Sequence, residues 1–403
     1  MDIITGIFAK ALSVFMSLVS IVPFSMPGAK TEADHSRDKT NYPFILVHGF
    51  WGWGEYSDGY DTLPYWGALT GNMVKSFKDC GYTAAAASVD PVGSAWDRAC
   101  ELYAQLTGTV VDYGAAHSKK YGHDRYGEDY TGKPLIEKWD SVNKINIINH
   151  SFGGPTCALF ASILEYGCEE EIKATADGSL SPFFKGGKGD YIYSITGIAG
   201  AYNGTSLTLC AGSLPDTLYA ASEKAVTEGA KTKLGYFKDG NVGAPDTALY
   251  DMNPDNAVVM NEGIKIVDSI YYFTIPCCTT KISSRTGNSI PDIEVSDYSS
   301  ISLALTMGRL NTVTKGGIEI GRDWQPNDGE VNTISARGPA DAPKRNIGLV
   351  PCPDTAAHGF EKGIYNVMKT YAGSHNCLMG NVTRPNKDAL PYLVSLMEMI
   401  NSL

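Results

Sequence analysis

Five short apolar runs recur along the chain, separated by stretches whose apolar residues keep a helical period. Pro43–Val47, Thr83–Val89, Lys144–Asn149, Tyr191–Ile198 and Ile270–Ile275 have the length and composition of strands buried on both faces. Helices are predicted over Tyr65–Cys80, with Leu69, Met73, Val74 and Phe77 on one face and Gly81 as a stop, and over Trp96–Leu106, with Ala99, Cys100, Tyr103 and Leu106 inward. A third follows Gly153, with Ala158, Leu159, Ala161, Ile163 and Leu164 in helical register, and an amphipathic helix with Leu393, Leu396 and Ile400 closes the chain. Strand and helix in alternation imply a largely parallel sheet covered on both faces. A chain of 403 residues can build this as one large α/β domain. Its bounds are residues 41–403, with insertions at about 107–140 and 205–250; the weakly helical stretch Thr205–Phe237 is placed as a lid or a plain surface insertion.

Ahead of the domain, Lys10 precedes an apolar run from Ala11 to Met26 that is interrupted by Ser13, Ser17, Ser20 and Pro23 and followed by Ala29. This reads as a secretory signal over residues 1–29, too short and broken to span a membrane, with a polar linker at 30–40. A net charge of −11 and a pI near 5.1 exclude nucleic acid and a basic membrane-docking face, and leave a neutral partner. The nine cysteines are odd in number and follow no C-x-x-C spacing, so they mark neither a disulfide scaffold nor a metal knuckle.

Chemistry concentrates where the Lys144–Asn149 strand meets its helix, in Asn149-His150-Ser151-Phe152-Gly153-Gly154. A serine at a strand-to-helix join is the pattern of a nucleophile elbow, which needs small residues two before and two after it; Gly153 suits this and Asn149 does not. The first strand runs into His48-Gly49-Phe50-Trp51-Gly52-Trp53-Gly54, a turn able to aim backbone N–H groups into a cleft. A serine nucleophile needs a base, and the base needs a carboxylate to orient it. Asp328 and Asp323 are candidate acids, and His375 and His358 candidate bases; composition does not choose between them.

The choice follows from a resemblance. His48-Gly-Phe-x-Gly52, Tyr65-Trp-Gly67, Trp96-Asp-Arg-Ala-Cys-Glu-x-Tyr-Ala-Gln-Leu106, Val111-Asp-Tyr-Gly-Ala-Ala-His117, Tyr121-Gly-His123, His150-Ser-x-Gly-Gly154, Leu180-Ser-Pro-Phe-Phe184, Tyr250-Asp251 and Asn327-Asp-Gly-x-Val-Asn-Thr-Ile-Ser335 occur in that order. Together they resemble the secreted lipases of Gram-positive bacteria, including the thermophilic bacillary and staphylococcal enzymes, on an α/β-hydrolase fold. The resemblance implies Ser151 as nucleophile, His375 as general base, Asp328 as its orienter, and the backbone N–H groups of Phe50 and Phe152 as the oxyanion hole. It also implies a structural zinc held by His117, His123 and Asp251, with Asn72 where relatives carry aspartate. The family's calcium site lacks its usual ligands, since Cys377 and Val382 stand at those positions and a hard cation prefers oxygen.

The expected function is a secreted carboxylic ester hydrolase of lipase type, acting on acylglycerols or related esters and touching a lipid–water interface transiently. The stretch between Asn203 and Tyr250 is shorter than in the lipases it resembles, where it carries lid helices, and this implies a reduced lid and shorter acyl chains. The alternatives are another hydrolase on this fold, such as a thioesterase, phospholipase or amidase, or a binding protein that keeps the fold without catalysis.

Overall fold

The computed structural model describes residues 31–175, 178–210, 245–382 and 388–403. Seven parallel strands form the central sheet: β1 (Phe44–Val47), β2 (Ala84–Ala87), β3 (Ile145–His150), β4 (Ile192–Ile198), β5 (Tyr271–Ile275), β6 (Lys344–Asn346) and β7 (Tyr365–Val367). Their spatial order is β6-β7-β5-β4-β3-β1-β2. The β1–β3 pairing sets Val47 beside Asn149, so the glycine turn after β1 and the serine after β3 leave the sheet side by side.

Alternating side chains of β1 divide the core. Ile45 and Val47 face α2 (Ala95–Thr107) and α4 (Gly153–Tyr166), in a cluster with Leu102, Leu106, Phe160 and Leu164. Phe44 and Leu46 face α1 (Met73–Asp79) and the C-terminal helix α5 (Ala389–Asn401), in a cluster with Phe77, Leu393, Leu396 and Ile400. Full burial of both faces is why these strands read as continuous apolar runs.

The helix expected over Tyr65–Cys80 starts only at Met73. Gly67 and Gly71 adopt φ of +98° and +99°, and the segment spends its polar groups on the loop after His375: Gly67 N–H donates to the Met379 carbonyl at 2.8 Å, and Asn381 Oδ1 accepts from Ala68 N–H at 2.7 Å. Residues 31–40, expected as a linker, are docked on the domain, with Lys39 and Thr40 N–H groups donating to the Asn401 carbonyl at the end of α5. The first insertion is an antiparallel hairpin of Val110–Asp112 with Tyr126–Asp129, enclosing α3 (Ala115–Tyr121). Residues 1–29, expected to be a secretory signal, and most of the second insertion lie outside the described residues.

Candidate active site

Ser151 sits at φ +57°, a left-handed backbone that few non-glycine residues adopt, in the tight turn between β3 and α4. The turn is fixed from both sides: Ser151 N–H donates to Ile198 O at 3.0 Å, and Ser151 O accepts from Gly154 N–H at 3.0 Å and from Ala201 N–H at 3.1 Å. Glycines make the space. A Cβ on Gly153 would lie 2.8 Å from Val47 O and 3.2 Å from the Asn149 Cβ, so the larger residue two before the serine is accommodated because the residue two after it has no side chain. A Cβ on Gly49 would lie 2.6 Å from the Ser151 Cβ and 3.1 Å from its Oγ, which places the β1 turn directly against the serine.

His375 and Asp328 meet beside His150, the residue preceding Ser151. The His375 Nδ1–H donates to Asp328 Oδ2 at 2.9 Å, and the His375 backbone N–H donates to the Asp328 carbonyl at 2.9 Å. Asp328 is fully buried, and its other oxygen accepts from Glu330 N–H at 3.0 Å and Val331 N–H at 2.8 Å. The pair therefore holds the tautomer that leaves Nε2 as the basic nitrogen. Burial opposes charge on His375, but the Asp328 and Glu330 carboxylates outweigh it and push the imidazole up to about 9. The alternative candidates lie elsewhere: His358 and Asp323 are exposed.

Three residues that the sequence reading left without a role tie the parts together. Gly49 N–H donates to Tyr65 Oη at 3.2 Å, Tyr65 donates to His150 Nδ1 at 2.6 Å, and His150 Nε2–H donates to the His375 carbonyl at 3.1 Å. The chain runs from the β1 turn, through the residue preceding Ser151, to the backbone of His375, whose ring centroid lies 4.5 Å from that of His150. Burial holds His150 well below the usual imidazole range, so it is neutral, as this donor order requires. Arg98 of α2 is fully buried and donates to the carbonyls of His48, Gly49 and Asp90, with its guanidinium 5.2 Å from the Phe152 ring centroid. It braces the turn that carries Phe50. Among the described residues, neither the Phe50 nor the Phe152 backbone N–H donates to a protein acceptor.

A second constellation joins the first insertion to α2 and to the segment before Ala248. Asp97, His117, His123 and Asp246 present ligand atoms that all lie within 4.8 Å of one another. His117 Nε2 is 3.2 Å from Asp97 Oδ1 and 3.1 Å from Asp246 Oδ1, and His123 Nε2 is 3.4 Å from Asp246 Oδ2. The orientation is built in: His123 Nδ1–H donates to the Asp124 carbonyl at 2.8 Å, Trp96 stacks on the His117 ring at 4.9 Å, and Glu171 accepts from the Ala116 and His117 N–H groups. Two of the four residues expected from sequence are engaged elsewhere. Asn72 instead caps α1, accepting from Lys75 N–H at 3.1 Å, and Asp251 Oδ2 accepts from Ala95 N–H at 2.8 Å at the start of α2. The two carboxylates of the cluster lie far apart in the sequence, Asp97 inside Trp96-Asp97-Arg98 and Asp246 five residues before Asp251. Cys377 and Val382, at the positions considered for calcium, are buried in the apolar cluster around α5.

The chain is similar to known proteins. The model of the lipase-like C-terminal domain family matches residues 40–216. The lipase of Staphylococcus hyicus is 31% identical over 389 residues, covering 90% of this chain but 56% of that protein; the chain spans about half the length of the curated relatives it matches. Among solved structures, EstA from Clostridium botulinum superposes with a TM-score of 0.79 at 29% identity, covering 97% of this chain and 98% of that one. Lipase 1 from Pelosinus fermentans gives 0.73 at 31% identity, covering 90% and 99%.

Proposed function

The chain belongs to the family of Gram-positive bacterial lipases, and from that premise we propose that it hydrolyses carboxylic esters, acylglycerols or smaller esters, through an acyl-enzyme on Ser151. The observation that carries the reading is the His375–Asp328 pair packed on the residue preceding Ser151. In this mechanism His375 Nε2 takes the Ser151 proton as Oγ bonds to the ester carbonyl carbon. The carbonyl oxygen becomes an oxyanion facing the Phe50 and Phe152 N–H groups. His375 then gives its proton to the departing alcohol oxygen, and the C–O bond to the alcohol breaks, leaving the acyl-serine. Water repeats the sequence: His375 accepts its proton, hydroxide adds to the acyl carbon, and Ser151 departs with the proton restored, releasing the acid.

The family's structural zinc suits Asp97, His117, His123 and Asp246: two imidazole nitrogens and two carboxylate oxygens are an ordinary tetrahedral donor set. Bound there, the ion would cross-link the hairpin insertion to α2 and to the segment at Asp246. Short acyl chains and release from the cell through the N-terminal segment complete the proposal.

The test is hydrolysis of nitrophenyl acetate through palmitate by wild type and Ser151→Ala. The wild type turns over, and the variant loses about 10⁴-fold or more of kcat. Equal rates for the two proteins would refute the mechanism.

A further inference from the structure

Glu330 lies two residues beyond Asp328, and its carboxylate does not join the orienting pair. Its Oε2 stands 3.9 Å from His375 Nε2, on the opposite side of the ring from Asp328, and its side chain is 44% exposed. Asn376 Nδ2 donates to Oε1 at 3.0 Å, and the Glu330 carbonyl accepts from the Thr205 hydroxyl, so both ends of the residue are tied. Among the described residues no lysine or arginine is paired with it. Asp328, by contrast, is fully buried, and its oxygens are occupied by the ring and two N–H groups.

Nε2 is the atom that hands its proton to the leaving oxygen, so the alcohol half of an ester departs past it. A leaving oxygen within hydrogen-bond reach of Nε2, about 3 Å, lies no more than roughly 7 Å from Glu330 Oε2. An ammonium group two carbons beyond that oxygen can reach a similar distance from the carboxylate, and across about 7 Å of partly screened cleft a full charge changes transition-state binding on the order of tenfold.

Resting on the hydrolase reading above, we propose that Glu330 sets the alcohol specificity of this site: esters of amino or quaternary-ammonium alcohols are favoured over neutral ones, and esters whose alcohol carries phosphate or carboxylate are rejected. Burial and repulsion from Asp328 raise the Glu330 carboxyl above the ordinary glutamate range, while His375 and Asn376 oppose that rise, so the selectivity is measured at mildly alkaline pH, where the carboxylate is charged.

The experiment compares butyrylcholine with 3,3-dimethylbutyl butyrate, which replaces the ammonium nitrogen by carbon and keeps the shape. The ratio of kcat/KM for the cationic over the neutral ester is measured for wild type, Glu330→Gln and Glu330→Asp at low and high salt. The expected result is a ratio about tenfold lower in Glu330→Gln, mostly retained in Glu330→Asp, and falling with salt only where the carboxylate is present. A ratio that is the same in wild type and Glu330→Gln, or indifferent to salt in the wild type, overturns the proposal. If the wild type cleaves neither ester nor any nitrophenyl ester, the hydrolase reading has failed, whereas cleavage of both with an unshifted ratio defeats the specificity claim alone.

Discussion

His375 stands between two carboxylates that act on different nitrogens: Asp328 fixes Nδ1, and Glu330 faces Nε2 at 3.9 Å. Both raise its pKa against the effect of burial, to about 9 from an ordinary 6.5. A protonated imidazole cannot accept the Ser151 proton, so kcat/KM rises with pH through the neutral range and levels only on the alkaline side. Asp328, Glu330 and Cys377 all act to raise it, whereas the neighbouring His150 ring is neutral. Replacing Glu330 by glutamine removes one of the raising charges and moves the acidic limb of the kcat/KM profile to lower pH; a limb that stays in place would show that Glu330 does not reach the base. At Gly49 the expectation is steric. Gly49→Ala puts a methyl group 2.6 Å from the Ser151 Cβ, and a loss of kcat of about 100-fold or more with little change in thermal unfolding would mark a displaced nucleophile or oxyanion turn. The serine, the acid and the base were each assigned by motif, but Asn149 could be understood only with Gly153 in place beside it. Glu330 and the Tyr65–His150 relay carry no sequence signature, because they act through contacts between residues far apart in the chain.

At the scale of elements, the strands and helices legible from apolar periodicity were those with both faces or one full stripe buried: β1, β2, β3, β4, β5, α2, α4 and α5. The Tyr65–Gly71 stretch has the helical pattern too, yet its backbone is committed to the loop after His375, so tertiary hydrogen bonds override local propensity. β6 escaped notice for the opposite reason, being Lys344-Arg345-Asn346, exposed and polar at the sheet edge. The hairpin insertion carries the two histidines of the metal-type cluster, and these were named from the family resemblance. Its acids come from α2 and from the turn before Ala248–Asp251, and no local pattern links those. Zinc content by elemental analysis separates the two ligand sets. If the proposed zinc is bound by the cluster, Asp246→Asn and Asp97→Asn are expected to lower bound zinc and the melting temperature, whereas Asp251→Asn and Asn72→Ala are expected to leave zinc stoichiometry near that of the wild type. Loss of the metal in Asp251→Asn alone would return the assignment to the sequence-based set.

For the whole molecule, the order β6-β7-β5-β4-β3-β1-β2 gathers the turns after β1 and β3 at the strands' carboxyl ends, where open parallel sheets place their ligands. Asp328 and His375 arrive there from far down the chain, flanking β6 and β7, and the Tyr65–His150 relay closes the ring of contacts. The fold is shared with relatives that differ in length, since this chain covers about half of the staphylococcal lipases and nearly all of the clostridial EstA. What the arrangement claims above all is that one hydroxyl is activated, and a fluorophosphonate ester reports that directly, because it phosphonylates only an activated serine beside an oxyanion hole. Intact-mass and peptide mapping of the full chain after exposure to such a probe should show a single adduct on Ser151, slowed in Asp328→Asn and absent in Ser151→Ala; an adduct on any other residue, or none on Ser151, would contradict the account.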